Sequence, residues 1–259
     1  MAEPAVLERK STNPFLTRGL SQTALRSAGT GFDTGAPGPI TEGRTISDPW
    51  AATGALGFLF MVMFAAGWWT VGVAPFVPFV AIFVGLGLVF WAVARPEKSP
   101  VLAPLYAVAE GLFVGGISRV YEAAYDGIVL QASLITAVLF ATMWVLYSSG
   151  RLRLTPKMTK AIVGATMGIL GVYVIDLLLR LFGAQVPLLN DTGPLGIGIS
   201  LVIVGIATMN LLIDFDLISR LEAQPHPRYM DWFAAMGVLI TVVWIYLEVL
   251  RLLAKMQRR

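Results

Sequence analysis

The chain of 259 residues contains no cysteine, a single histidine and few charged residues. Without cysteine, it can form no disulfide, thiol nucleophile, iron–sulfur site or zinc–thiolate site. The one histidine, His226, lies between Pro225 and Pro227, whereas a rhomboid-like serine site needs its histidine in a helix. The Gly-x-Gly-Asp motif of intramembrane aspartyl proteases is also missing. These absences predict that the chain is not an enzyme.

Charged residues make up only 14% of the chain, and hydrophobic residues make up 56%. The mean hydropathy is +0.74, and a soluble domain would carry about one-quarter charged residues. The 19 basic residues lie mostly between hydrophobic runs or at the two ends, as in the cytoplasmic loops of membrane proteins. The composition therefore predicts a lipid bilayer as the environment and no nucleic-acid partner.

Two regions differ in composition. Residues 1–47 are rich in Ser, Thr, Gly and Pro and lack the apolar core of a signal peptide, which predicts a disordered cytoplasmic tail. Residues 48–259 contain recurrent apolar stretches of about 20 residues, enough to cross a hydrocarbon core of about 30 Å as helices. The prediction is an all-α polytopic membrane protein, a bundle of seven helices at 51–73, 75–94, 101–120, 128–149, 160–183, 194–216 and 231–254.

The distribution of basic residues predicts the orientation. If the N-terminus is cytoplasmic, the basic loops around Arg95 and Lys98, 151–160 and 220–228 all lie inside. Seven spans would then place the basic C-terminus outside, against this tendency. The alternative is that the last segment is re-entrant or that there are six spans.

Small residues predict where helices touch, because glycines four residues apart let two backbones approach closely. Gly111 and Gly115 have this spacing in the third helix, and Gly164 and Gly168 have it in the fifth. Both pairs are candidate helix contacts.

Acidic residues inside the predicted helices are the strongest functional candidates, since each costs roughly 2.5 to 3.5 kcal/mol at a helix centre. Glu110 lies in the middle of the third helix with no cation within one turn. It is either a protonated carboxyl that holds helices together or part of an ion or proton pathway.

Asp214 and Asp216 are predicted to close the sixth helix on its cytoplasmic side. Side chains two residues apart on a helix point in directions that differ by about 200°. One of the two carboxylates should therefore face the bundle, and the other should approach the headgroups or the next loop.

The remaining acids have simpler interpretations. Asp176 and Arg180 are spaced i, i+4, and Glu248 and Arg251 are spaced i, i+3, so both couples are expected to form ion pairs. The alternative is that Asp176 and Glu248 line the ion pathway. Asp231 is predicted to cap the last helix, and His226 is predicted to be solvated.

Two segments resemble the Bax inhibitor-1 (transmembrane Bax inhibitor motif) family. The stretch 214–218, Asp-Phe-Asp-Leu-Ile, followed by a polar loop and by 244–253, Trp-Ile-Tyr-Leu-Glu-Val-Leu-Arg-Leu-Leu, is similar to the sixth and seventh helices of that family. Glu110-Gly111-Leu112 with Gly115 looks like the third-helix motif of bacterial members, and 13–15, Asn-Pro-Phe, is similar to an N-terminal element of some of them. The resemblance covers about residues 50–255.

The resemblance implies a bundle in which six helices wrap the seventh, and a pH-sensitive calcium leak. It implies that two aspartates on the last two helices share a proton and govern a gate. Asp216 takes the first position, but the second falls on Thr241, which does not titrate. Asp214, Glu110 or Glu248 could supply the missing carboxylate. Arg95 or Lys98 could supply the cation that pairs with the first aspartate.

The leading hypothesis is therefore a proton-gated cation leak in the inner membrane of a bacterium, with calcium as the transported ion and no cofactor. Asp216 and Glu110 are the candidate calcium ligands, because carboxylate oxygens suit that ion. The expected partners are the lipid bilayer, calcium ions and protons. The alternative is a regulatory protein that modulates a membrane-bound protease or a stress response through its basic tail, without ion transport.

Overall fold

The computed structural model describes residues 48–258, except for the side chains at 188 and 190. The predictions for the tail, residues 1–47, lie outside this range. Within it the chain is helical, with no strand in the described part. The long helices are α1 (Pro49–Thr70), α2 (Val77–Ala94), α3 (Ser99–Ala124), α4 (Ile128–Ser148), α5 (Pro156–Leu181), α6 (Pro194–Ala223) and α7 (Tyr229–Gln257). A 3-10 helix, Pro96–Lys98, precedes α3, and a one-turn helix, Pro187–Asn190, precedes α6.

All seven helices are long and apolar enough to cross a membrane, so the seven-span prediction is confirmed. The alternatives with six spans or a re-entrant last segment are wrong, since α7 is one continuous helix of 29 residues. Proline occupies one of the first two positions of five helices, where its missing N–H removes no helical hydrogen bond. The connection between the first two spans is short, because only six residues separate α1 from α2.

One boundary differs from the prediction in a way that matters for function. The sixth helix was expected to end at 216, but α6 continues to Ala223. No glycine or proline interrupts the sequence before Pro225, and Arg220 pairs with Asp216 one turn earlier. Asp214 and Asp216 therefore lie inside a helix and not at its end.

The last helix lies at the centre of the bundle, as the resemblance implied. α7 packs against α1, α3, α4 and α6 and has the largest buried share of the seven spans. In contrast, α5 packs mainly on α6 and is the least buried. Residues on α7 therefore face other helices on most sides, whereas most of those on α5 are left uncovered by the other helices.

Glycines bring α1 and α3 into direct backbone contact. A Cβ at Gly115 would overlap the Phe64 carbonyl, and one at Gly111 would lie 2.8 Å from the Phe60 carbonyl oxygen. The predicted contact at this pair is confirmed. The prediction for Gly164 and Gly168 is wrong, because no atom lies within 4 Å of a Cβ at either position. A glycine pair forms a close contact only where another helix packs against it, and the spacing alone does not show whether one does.

The loop before α7 corrects two further predictions. Asp231 does not cap α7, which begins at Tyr229 without a side-chain cap. Instead its carboxylate lies 2.6 Å from Nε2 of His226, and only 10% of the His226 side chain is exposed. His226 Nδ1 also lies 3.0 Å from the Gln224 carbonyl oxygen. The histidine is therefore a partly buried structural element and not a solvated one.

This pair should make the stability of the protein depend on pH. Burial opposes the charged imidazole, but the hydrogen bonds to Asp231 and Gln224 outweigh it and raise the pKa of His226 above its ordinary value. The stabilisation is fully present below the ordinary pKa of about 6.5 and is lost as pH rises through the raised pKa. His226→Gln should cost about 1 kcal/mol, roughly 2–4 °C in unfolding temperature, at acidic pH and less at alkaline pH. Thermal unfolding of the detergent-solubilised parent and variant at acidic and at alkaline pH would check this. An equal decrease in unfolding temperature at both pH values would contradict it.

Candidate functional site

The orientation of the acids on α6 is set by the residue between them. Phe215 is fully buried in a cage of aromatic rings from α1 and α4. Its ring lies edge-on to Phe140 at 5.5 Å and to Trp144 at 5.9 Å between centroids, with Trp50 at 6.0 Å and Tyr147 at 5.9 Å. Because consecutive residues on a helix are about 100° apart, this anchor turns Asp214 and Asp216 to opposite flanks.

Asp214 faces the central helix. Its Oδ1 would lie 3.4 Å from a Cβ at Gly237, and its carboxyl interacts with the buried Thr241 one turn further along α7. Oδ2 is buried, and within residues 48–258 it has no hydrogen-bond partner. A carboxyl group at this depth is thus incompletely satisfied, which is a costly arrangement for its charged form.

Asp216 points away from the bundle. Oδ2 accepts a 2.7 Å hydrogen bond from Nε of Arg220, and the side chains of the two residues are 23% and 72% exposed. Asp216 also lines a surface cavity with Arg153 and Ser219. The residue chosen from the resemblance as the first gating aspartate is therefore the surface member of the pair, and Asp214 is the one that meets Thr241.

Glu110 is buried on α3, 9% exposed. Its Oε2 would lie 3.0 Å from a Cβ at Gly85 of α2, and its carboxyl interacts with Tyr106 one turn earlier. It forms none of the ion pairs in the described part of the chain. The absence of the Gly85 side chain provides the space that this carboxyl occupies.

The other predicted acids form ion pairs at the end of the bundle where α7 terminates. Asp176 accepts a 2.7 Å hydrogen bond from Nε of Arg180 and a 2.8 Å one from the amide of Val186. Glu248 lies 3.4 Å from Arg251 and accepts a hydrogen bond from the Tyr173 hydroxyl. Both predicted ion pairs are confirmed. Tyr173 was missed, since nothing in the sequence indicates that a tyrosine of the fifth helix reaches the seventh.

The two candidate cations of the gate lie in a short surface connection. Arg95 is 3.7 Å from Glu97, and the Lys98 ammonium lies over the ring of Trp91. The described ion pairs join neither of them to Asp214 or Asp216. Their assignment to the gate stays a prediction.

No group of three or more His, Asp or Glu side chains within the described range is placed to hold a metal ion. Glu110 packs against α2, and Asp216 lines a surface cavity, so each would meet a calcium ion in a different environment. Their role as calcium ligands is a prediction about an ion in transit and not about a resident site.

The fold and these acids define a polytopic helical membrane protein with carboxyl groups buried among its spans. A family model described as Bax inhibitor 1 like matches residues 13–258, and the chain belongs to this family. No curated protein and no solved structure gives a significant match.

Proposed function

We propose that this chain is a proton-sensitive cation leak of the membrane, with calcium as the favoured ion and Asp214 as the group whose charge state governs it. The observation that carries the proposal is the Oδ2 atom of Asp214, which is buried beside the central helix without a hydrogen-bond partner among residues 48–258. A merely structural carboxyl at this depth would be expected to have its oxygens satisfied, as those of Asp176 are.

The chemistry of a buried carboxyl explains how it would act. An ionised carboxylate inside a helix bundle is costly, and a proton, a cation or water can relieve that cost. With the proton bound, α6 packs on α7 and the route is closed. Without it, water and a cation enter between the helices, and the carboxylate with the Thr241 hydroxyl offers the oxygen ligands that calcium prefers.

The surroundings of Asp214 favour a single titrating group. From α7 it is faced by Gly237 and Thr241, and neither titrates. On its own helix the nearest acid, Asp216, points outward to Arg220. The proton would then be held by one carboxyl, supported by a hydroxyl, in place of the aspartate pair that the family resemblance implies.

Glu110 is the second carboxyl of the proposed route. It is buried at membrane depth without an ion pair in the described range, and it lies on α3, which packs against α7. Its carboxyl faces α2, so a path that uses both carboxylates would pass between α2 and α3 as well as between α6 and α7.

Calcium flux in proteoliposomes tests this function. Vesicles with the purified full-length protein should release entrapped calcium faster than empty vesicles, and the rate should change between roughly pH 6 and pH 8. Glu110→Gln should lower the rate. A rate equal to that of empty vesicles across this range would exclude the leak.

The alternative, a regulatory protein that modulates a membrane protease, is separated by deleting residues 1–47. A leak of residues 48–259 should survive the deletion. Loss of protease binding with no flux in either form would favour the regulatory role. We also propose that the face with the basic connections around Arg95, Arg153 and Arg228 is cytoplasmic in a bacterial inner membrane, because it carries the excess of positive charge.

A further inference from the structure

A polar cavity of about 320 Å³ lies at the end of the bundle where α7 terminates. The cavity is lined by four cationic side chains and one carboxylate. The cations are Arg180 of α5 with Arg251, Lys255 and Arg258 at the C-terminal end of the chain, and the carboxylate is Asp176. Arg251, Lys255 and Arg258 belong to the basic C-terminus, which seven spans place on the outer face, against the tendency of basic residues to lie inside.

Two of the four cations already have carboxylate partners. Arg180 lies 2.7 Å from Asp176, and Arg251 lies 3.4 Å from Glu248 beneath the cavity. Asp191 is the third acid nearby. Its oxygens accept hydrogen bonds from the amides of Gly193 and Gly196 at the start of α6.

Lys255 and Arg258 form no ion pair in the described range. Lys255 is only 7% exposed, and its ammonium donates to the Gly196 carbonyl at 3.2 Å and to Oγ of Ser200 at 2.8 Å. Arg258 donates from Nε to the Tyr125 hydroxyl. An ammonium has three donors, so one remains available on Lys255, and the outer nitrogens of Arg258 are available as well.

A buried ammonium without a carboxylate partner is costly. Asp191 attracts Lys255 electrostatically, and its oxygens accept hydrogen bonds from backbone amides. Among the residues that line the cavity, four cations face a single carboxylate, which leaves an excess of positive charge around a space that can hold an anion. An oxyanion placed there would meet both an ammonium and guanidinium groups, whose planar donors match phosphate oxygens.

We propose that this cavity binds a phosphate-type oxyanion, through Lys255 and Arg258 with support from Arg180. The anion has two possible sources, free inorganic phosphate and the phosphodiester of an anionic lipid. The cavity lies where the spans α5 and α7 end, which is the depth of lipid headgroups, and its ammonium and guanidinium groups match the phosphate oxygens of such a headgroup. The site is independent of the proposed leak.

Two measurements on the full-length protein test the site and separate the sources. In neutral detergent, inorganic phosphate at constant ionic strength should raise the unfolding temperature, relative to chloride. In nanodiscs of phosphatidylcholine with a minority of phosphatidylglycerol, native mass spectrometry should show retained phosphatidylglycerol. An effect of phosphate alone identifies the free ion, and retention of lipid alone identifies the headgroup.

Arg258→Gln and Lys255→Met should each weaken the binding by about tenfold, the effect of removing one charge-assisted hydrogen bond. Lys157→Gln, which removes an exposed cation at the opposite end of α5, should leave it unchanged. Arg258 is exposed, so its variant carries the test if Lys255→Met does not fold. Binding that is absent in the parent, or equal in the parent and in Arg258→Gln, would overturn the proposal.

Discussion

Replacing Asp214 by asparagine should lower calcium flux by about tenfold at alkaline pH and leave a rate that no longer depends on pH. Asparagine has the shape of a protonated aspartate but cannot ionise. The variant should therefore behave as the parent does at its acidic limit, with α6 packed on α7 at every pH. The measurement is calcium release from proteoliposomes at roughly pH 6 and roughly pH 8.

Asp216→Asn is the matched control, because it makes the same change two residues away. Asp216 is paired with Arg220 at the surface, and such exposed pairs contribute only about 0–1 kcal/mol. Its flux and pH response should stay close to those of the parent. If Asp216→Asn removes the pH response and Asp214→Asn does not, the gating carboxyl is the surface one, and the account of Asp214 is wrong.

Gly115→Ala should destabilise the bundle by about 3 kcal/mol, because the added methyl group would occupy the place of the Phe64 carbonyl. Backbone atoms of α1 cannot move aside as the end of a side chain can, so the two helices must separate. For a chain of this size, the loss corresponds to roughly 6–12 °C in unfolding temperature. Thermal unfolding in detergent measures it.

The same substitution at Gly164 supplies the control. A Cβ at that position meets nothing within 4 Å, and alanine is the better helix former by about 1 kcal/mol in water. Gly164→Ala should be neutral or slightly stabilising. Equal losses at the two glycines would mean that α5 packs against another helix in the membrane.

Much of this architecture could be predicted from composition and length alone. A helix that spans a bilayer needs about 20 apolar residues, and the chain repeats such stretches seven times. Short-range ion pairs such as Asp176 with Arg180 were also predictable, because neighbours on one helix are fixed by its geometry. The end of α6 was not, since the apolar pattern stops before the helix does.

Contacts between different helices set the limit of prediction. The sequence indicates that Asp214 and Asp216 diverge, but the choice between them depends on Phe215, whose aromatic cage comes from α1 and α4. The pairing of His226 with Asp231 depends on the fold of a loop, and a histidine between two prolines gives no signal of it. Glycine spacing likewise could not separate Gly111 and Gly115 from Gly164 and Gly168, because the spacing is the same and the neighbours differ.

The most direct test of a hydrated path between the helices is whether water reaches the site beside Asp214. The chain has no cysteine, so Thr241→Cys introduces a single thiol next to that carboxyl, and Val138→Cys introduces one on the lipid-facing side of α4. A small, positively charged thiol reagent should modify Thr241→Cys in membranes, more slowly when calcium is present, and should leave Val138→Cys unmodified, because the reaction needs a hydrated thiolate. A thiol at 241 as unreactive as the one at 138, with or without calcium, would contradict the account.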